Sequence, residues 1–204
     1  MRIGIIFAME NEKMAFEKLK INTIHELKLY QCGIGKVNAA TTTASAIFVD
    51  KCDFIINCGV AGGINNSKIL DVYYATELKY SDVDLSCFTR YEIGQLPGMP
   101  VVYKALENNF KFSRAVEGKI ASQDTFATIS QKSLFKKYYS DYSAVDMESC
   151  AIAQTCYNLN RDFVIIRAVS DLVFEEDNHL NYEASEDAAC IEAAETLVEL
   201  LQQL

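Results

Sequence analysis

Four short stretches of this chain place acids or small residues where chemistry could be done. Met9-Glu10-Asn11-Glu12 follows the apolar run Ile3–Phe7. These polar residues either form the acidic first turn of a helix, which the helix dipole favours, or aim one carboxylate into a cleft as a base. Gly59-Val60-Ala61-Gly62-Gly63 follows a second apolar run. Small residues there serve either a plain tight turn or the close approach of backbone to a ligand. The stretch has neither G-x-G-x-x-G spacing nor the Lys-Ser/Thr of a P-loop. In Asp146-Met147-Glu148-Ser149 two acids flank a methionine. In an extended segment the acids share a face; if a helix starts here, they diverge. They either open a helix or supply a carboxylate that accepts hydrogen bonds from both hydroxyls of a sugar diol. Ser170-Asp171 closes the most apolar run of the chain, Asp162–Val169. Burial raises a carboxyl pKa, so Asp171 could hold a proton near neutral pH and donate it. Its other readings are a helix cap or a partner for Arg167.

All four stretches sit at the ends of predicted strands, and in open α/β sheets ligands bind beyond the carboxyl ends of the strands. The strands are read at Arg2–Phe7, Glu26–Cys32, Asp53–Cys58, Val72–Tyr80, Gly118–Ser122, Ala144–Met147 and Asp162–Val169. Helices are read at Met9–Leu19, Lys36–Val49, Gln131–Tyr139, Glu148 to about Asn158, and Glu183–Leu201. The last carries Ala184, Ala188, Ile191, Ala194, Val198 and Leu201 at helical spacing. Gly33-Ile34-Gly35 is a turn, and Ser81–Pro100 is irregular, broken by Gly94, Pro97, Gly98 and Pro100. Strands alternating with helices predict a layered α/β fold with a largely parallel sheet. The near-continuous apolar runs fit strands covered on both faces.

The 204 residues are half hydrophobic, enough for a large core, with no internal repeat or linker. The net charge is −9. This excludes the basic footprint of a nucleic-acid binder and argues against docking on anionic lipid. No apolar run is long enough to span a bilayer. The N-terminal apolar stretch, without a small-residue cleavage pattern, reads as a buried strand rather than a signal peptide, and the chain as cytosolic. The seven cysteines form no C-x-x-C pair, and His25 and His179 lie near none of them. Zinc and a disulfide framework are therefore unsupported, and the thiols read as small core residues.

Taken in order, Ile3-Gly4-Ile5-Ile6 with Ala8-Met9-Glu10-Asn11-Glu12, Gly33-Ile34-Gly35-Lys36-Val37-Asn38-Ala39-Ala40, and Ala61-Gly62-Gly63 resemble one known family. So do Gly94-Gln95-Leu96-Pro97-Gly98, Asp146-Met147-Glu148 and Arg167-Ala168-Val169-Ser170-Asp171. The family is the 5′-methylthioadenosine/S-adenosylhomocysteine nucleosidases of the nucleoside phosphorylase superfamily, and the motifs span nearly the whole chain. The resemblance implies a three-layer α/β/α single domain over residues 1–204 around a central mixed, largely parallel sheet. It implies hydrolysis of the N-glycosidic bond of methylthioadenosine, S-adenosylhomocysteine and 5′-deoxyadenosine, with no metal or organic cofactor. Asp171 matches the general acid that protonates adenine N7, and Glu12 the residue that positions and deprotonates water. Glu148 matches the acceptor of the ribose hydroxyls, with Met147 against the sugar. Phe126 matches the ring that stacks on adenine, and Ala127 the backbone at the base edge. Ser170 and Arg167 match supports around Asp171, and Tyr182 an aromatic over the alkylthio group. Met9, Ile34, Val60, Ala61, Gly62 and Asp146 complete the implied pocket. Pro97 and Phe88 lie in the segment that a second subunit contributes, so a homodimer is implied.

Three features depart from the family pattern: a short Lys18–Cys32 region, Asp146 in place of Glu, and Val60 in place of a hydroxyl residue. Lys18–Cys32 reads as lacking a strand or hairpin at the sheet edge or dimer surface. Two other readings compete. A purine nucleoside phosphorylase must hold a phosphate dianion beside the ribose. Val60 removes a hydroxyl there, and Glu12 would set a negative charge against the phosphate, costing about 1–4 kcal/mol at ~4 Å. A non-catalytic nucleoside-binding or scaffold relative should have lost the acid, the base or the ribose grip, and this chain has Asp171, Glu12 and Glu148.

Overall fold

The computed structural model describes residues 1–106 and 109–204. In chain order its elements are β1 (Arg2–Phe7), α1 (Glu10–Glu17), β2 (Glu26–Gln31), α2 (Lys36–Phe48), β3 (Phe54–Gly63), β4 (Val72–Tyr80), β5 (Tyr103–Lys104), β6 (Val116–Ser122), α3 (Lys132–Tyr138), β7 (Ala144–Asp146), α4 (Ser149–Asn158), β8 (Asp162–Leu172) and α5 (Asn178–Leu201).

β3 and β8 read as near-continuous apolar runs because helices cover both of their faces. Alternate residues of a strand point to opposite sides. Ile55, Phe163 and Ile165 cluster with Ala39, Ala46 and Ile47 of α2 and with Cys150, Ile152 and Cys156 of α4. Phe54, Ile56, Val164 and Ile166 cluster with Phe16 of α1 and with Ala193, Leu197 and Leu200 of α5. The result is three layers, with α1 and α5 on one side of the sheet and α2 and α4 on the other.

The sheet is mixed and largely parallel. β1–β2, β1–β3, β3–β8, β4–β6 and β6–β7 pair parallel. β3–β7, β4–β5 and β4–β8 pair antiparallel. It is not an open sheet, however. β3, β8, β4, β6 and β7 each pair with the next, and β7 returns to β3 at Gly62↔Val145 and Gly63↔Ala144. A register shift between Ala61 and Gly62 bends β3 into this closure.

That bend corrects one expectation. Gly59–Gly63 is not a turn; it is the second half of β3. β8 likewise continues through Ser170 and Asp171, and α5 begins five residues earlier than its periodicity suggests. The buried stripe of α5 also differs. Ala189, Cys190, Ala193, Ala194, Leu197, Leu200 and Leu201 face the core, whereas Ile191 is half exposed and Ala184 and Ala188 are exposed. Alanines on every face of this helix made its period ambiguous. Between α1 and Gly33 lies one strand, β2, at the edge of the sheet. Among the described residues no helix is long and apolar enough to cross a membrane.

Candidate active site

The carboxyl ends of β1, β3, β7 and β8 surround a cavity of about 220 Å³. Met9, Glu12, Ile34, Val60, Ala61, Gly62, Phe126, Ala127, Asp146, Met147, Glu148, Ser170, Asp171 and Tyr182 all line it, with Ala8, Thr125, Val145 and Val173. The site residues singled out from sequence thus come together, except Arg167, Pro97 and Phe88.

Glu12 both opens a helix and lines the cavity. It is in the first turn of α1, and its Oε2 accepts hydrogen bonds from the backbone N–H of Ala8 (2.8 Å) and Met9 (3.0 Å). Its Oε1 accepts from the N–H of Val60 on β3 (2.9 Å). The side chain both caps the helix and faces the cavity, at 4% exposure. Burial pushes its pKa up, while Arg167 and the three N–H groups pull it down. Gly59 makes this possible. A Cβ there would overlap Glu12 Oε1 and come within 2.8 Å of Arg167 Nη1.

Arg167 lies beneath the cavity floor, 1% exposed. Its Nε donates to Asp146 Oδ2 at 2.6 Å and its Nη2 to Asn57 Oδ1 at 2.5 Å, with Glu148 Oε2 at 3.8 Å from Nη2. The expectation that Arg167 supports Asp171 is corrected here. Its guanidinium serves Asp146, Glu148 and Glu12 instead, because it reaches across from β8 toward β7 and β3. Asp146 is fully occupied by Arg167, Ser122 (2.5 Å) and Ser149, so it anchors the floor. Glu148 keeps one oxygen on the Gly35 N–H (2.9 Å). Gly35 presents that N–H from a φ of +103°, which only glycine adopts easily. Burial, then the charge of Asp146, raises the Glu148 pKa to about 7, against the pull of Arg167. Three buried acids therefore share one buried cation, and ionisation of Glu148 and Glu12 would give the cavity the negative charge that suits a cationic centre.

Asp171 lines the same cavity through separate hydrogen bonds and is neither a helix cap nor a partner of Arg167. Its Oδ1 accepts from Ser170 Oγ (3.0 Å) and its Oδ2 from Asn178 Nδ2 (2.7 Å). Burial raises its pKa and these two donors lower it. Beside it Phe126, 44% exposed, meets Tyr182 edge-on at 6.0 Å between centroids. The Tyr182 hydroxyl donates to Glu186 Oε1 at 2.6 Å. Met9, Ile34, Phe126 and Tyr182 make the mouth apolar. Phe88 and Pro97 are exposed and do not line this cavity.

Two buried site residues escaped the sequence reading. Nothing in the spacing marks Asn57, a polar residue inside an apolar strand, except that polarity itself. Asn178 carried one signal, an Asn just ahead of an amphipathic run. Among the described residues no group of three or more His, Cys, Asp or Glu is placed to hold a metal ion. The arrangement thus lines one cavity, large enough for a small molecule, with a carboxyl able to hold a proton and two further acids that have their own hydrogen-bond partners.

The profile of the phosphorylase superfamily matches residues 2–204. A 5′-methylthioadenosine/S-adenosylhomocysteine nucleosidase of Staphylococcus aureus is 38% identical, over 99% of this chain and 100% of that protein. The structure of such a nucleosidase from Colwellia psychrerythraea, in complex with adenine, superposes with a TM-score of 0.90 at 33% identity, covering 100% of this chain and 96% of the other. That from Streptococcus pneumoniae, with the transition-state inhibitor MT-ImmA, superposes with a TM-score of 0.87 at 27% identity, covering 99% of each chain.

Proposed function

The chain belongs to the phosphorylase superfamily and, within it, to the 5′-methylthioadenosine/S-adenosylhomocysteine nucleosidases, and we propose that it hydrolyses the N-glycosidic bond of both nucleosides and of 5′-deoxyadenosine. Breaking the bond to a purine leaves negative charge on the base and positive charge on the ribosyl carbon. Asp171 protonates adenine N7 as the bond opens. The base stacks on Phe126, with its edge on the backbone at Ala127. Glu148 accepts the ribose hydroxyls, which sets the anomeric carbon between Asp171 and a water on Glu12. The ribosyl centre becomes cation-like, so Glu12 orients the water and takes its proton late, and its charge stabilises the cation. The apolar mouth suits a thioether or a methyl at the 5′ position. A 5′-hydroxyl would be desolvated there without a partner, at a cost of about 1–3 kcal/mol. The Phe88–Pro97 segment of a second copy completes that mouth in a homodimer.

One observation carries water rather than phosphate as the nucleophile. The N–H groups of Ala8, Met9 and Val60 form a cradle that could hold an anion, and the Glu12 carboxylate fills it. A phosphate dianion would meet that charge instead of those donors. Adenine release should therefore run equally fast in phosphate-free buffer, with the free 5-substituted ribose as co-product. Strict phosphate dependence with a sugar 1-phosphate would move the assignment to a phosphorylase.

A further inference from the structure

Asn178 opens α5 immediately after Asp177, whose φ of +55° turns the chain into the helix. The Asn178 side chain is 4% exposed and lies behind the wall that Ala127 and Asp171 present to the cavity. Its Nδ2 is 2.7 Å from Asp171 Oδ2 and 3.0 Å from the Ala127 carbonyl oxygen. A carbonyl oxygen can only accept, so the amide must turn its NH₂ toward these two atoms, with one hydrogen for each. An NH₂ cannot accept a proton's hydrogen bond in return. Asp171 Oδ2 is therefore held as an acceptor whether or not the carboxyl is protonated.

Resting on the reading of Asp171 as general acid, we infer that Asn178 is the positioning residue that assigns the transferable proton of Asp171 to Oδ1. Ser170 completes the device. Its Oγ is 3.0 Å from Asp171 Oδ1 and 3.3 Å from the Ala61 carbonyl. With Oδ1 protonated, the hydroxyl rotates to donate to Ala61, and the carboxyl proton is free to leave toward the base. Once the proton has gone, the hydroxyl turns back to Oδ1, and both oxygens of the new carboxylate are hydrogen-bonded. Hydrogen bonds to a charged group are the stronger kind, so Asn178 favours the state that follows transfer. In direction this matches its opposition to the burial of Asp171. The same NH₂ fixes the Ala127 carbonyl, so the acid and the base edge share one anchor.

The test compares Asn178→Leu, which keeps the volume and removes the donor, with Asn178→Asp, which keeps the shape and replaces the donor by an acceptor. The readout is the pH profile of kcat for methylthioadenosine. The reaction needs protonated Asp171, so its rate falls as pH rises through that pKa. Losing the donor raises the pKa, and the alkaline limb should move up by about one pH unit. kcat at the optimum should fall roughly 10- to 100-fold, with KM changed less. Asn178→Asp should move the limb further in the same direction, and it carries the test alone if Asn178→Leu does not fold. A limb that stays in place in the folded variants would overturn the assignment, even if kcat drops, because loosened packing lowers a rate without moving its pKa. Asp171→Asn separates the two layers of the argument. If it is nearly inactive while the Asn178 variants keep the wild-type profile, only the role of Asn178 fails. If Asp171→Asn stays within a few-fold of wild type, the general-acid reading falls first.

Discussion

At the residue scale the site is governed by one cation. Arg167 faces Asp146, Glu148 and Glu12, all under 7% exposed. Removing one partner of a buried ion network leaves uncompensated charge and costs about 3–5 kcal/mol. Arg167→Met should lower stability by that order in urea melts at pH 8. Much of the loss should recover as pH falls, because burial raises the pKa of Glu148 and of Glu12 and lets them neutralise by protonation. Glu148 makes a second, opposite pair of pH effects in the native protein. Its pKa is about 7 when folded, against a usual value of 4.5. Between these values the folded chain binds a proton that the unfolded chain does not, so stability should fall as pH rises through this window. Activity should move the other way. In the proposed reaction Glu148 accepts both ribose hydroxyls and must be ionised to do so, so kcat/KM should drop below about pH 7 with a slope of one proton. A flat profile from pH 5 to 8 would contradict both its burial and its role. Glu12→Gln and Glu148→Gln should then differ in kind. The first should abolish most turnover yet still bind adenosine-like inhibitors. The second should lose affinity as well, and its defect should shrink on a substrate lacking the contacted hydroxyl.

At the scale of elements, the second half of β3 determines whether Glu12 can sit where it does. The strand must pass directly under the carboxylate, and Gly59 is the position of closest approach. Gly59→Ala should fold, since the strand conformation suits alanine, but should push Glu12 off its N–H cradle. We expect a loss of at least 10²-fold in kcat, read beside an unchanged far-ultraviolet spectrum. This same half-strand shows where sequence reasoning reached its limit. Alternating elements, the apolar runs of β1, β3 and β8, and the strand-end acids were legible, because local pattern and burial on two faces dictate them. Gly59–Gly63 was open to a turn reading because glycines signal turns locally. Only pairing with β8 and β7, more than 80 residues away in sequence, keeps it extended. The Arg167 partners were illegible for the same reason. Three residues separate it from Asp171, yet its ion pair is with Asp146, which only the neighbouring strands bring within 2.6 Å. Asn178 was missed because the start of α5 depends on the turn at Asp177, not on the periodicity of the helix body.

At the scale of the whole molecule, the cavity mouth has an exposed apolar rim. Ile34 lines the cavity while still 52% exposed, and Val37 on the next turn is 73% exposed. Phe88, at 54% exposure, packs edge-on against Tyr91 on a segment without helix or strand. That segment is nevertheless fastened. The Gly94 N–H donates to the Val83 carbonyl at 2.8 Å, and Gln95 Nε2 to the Met99 carbonyl at 3.0 Å. Single exposed apolar residues are ordinary, but a fixed loop that presents Phe88 and a cavity with an exposed apolar rim are two surfaces that the proposed homodimer would bring together. In the proposed homodimer this loop covers the 5′ end of the partner's cavity. Each copy carries −9, so association works against charge repulsion and should strengthen with salt, which screens beyond about 8 Å at physiological ionic strength. Sedimentation at micromolar concentration should show two subunits. Phe88→Asp should shift the population toward one, and its KM should rise more for methylthioadenosine than its inhibition constant for free adenine, because adenine makes no use of the 5′ end. A wild-type chain that sediments as a fully active monomer at every salt concentration would leave the mouth to be completed by its own residues alone, and the Phe88 variant would then be kinetically silent.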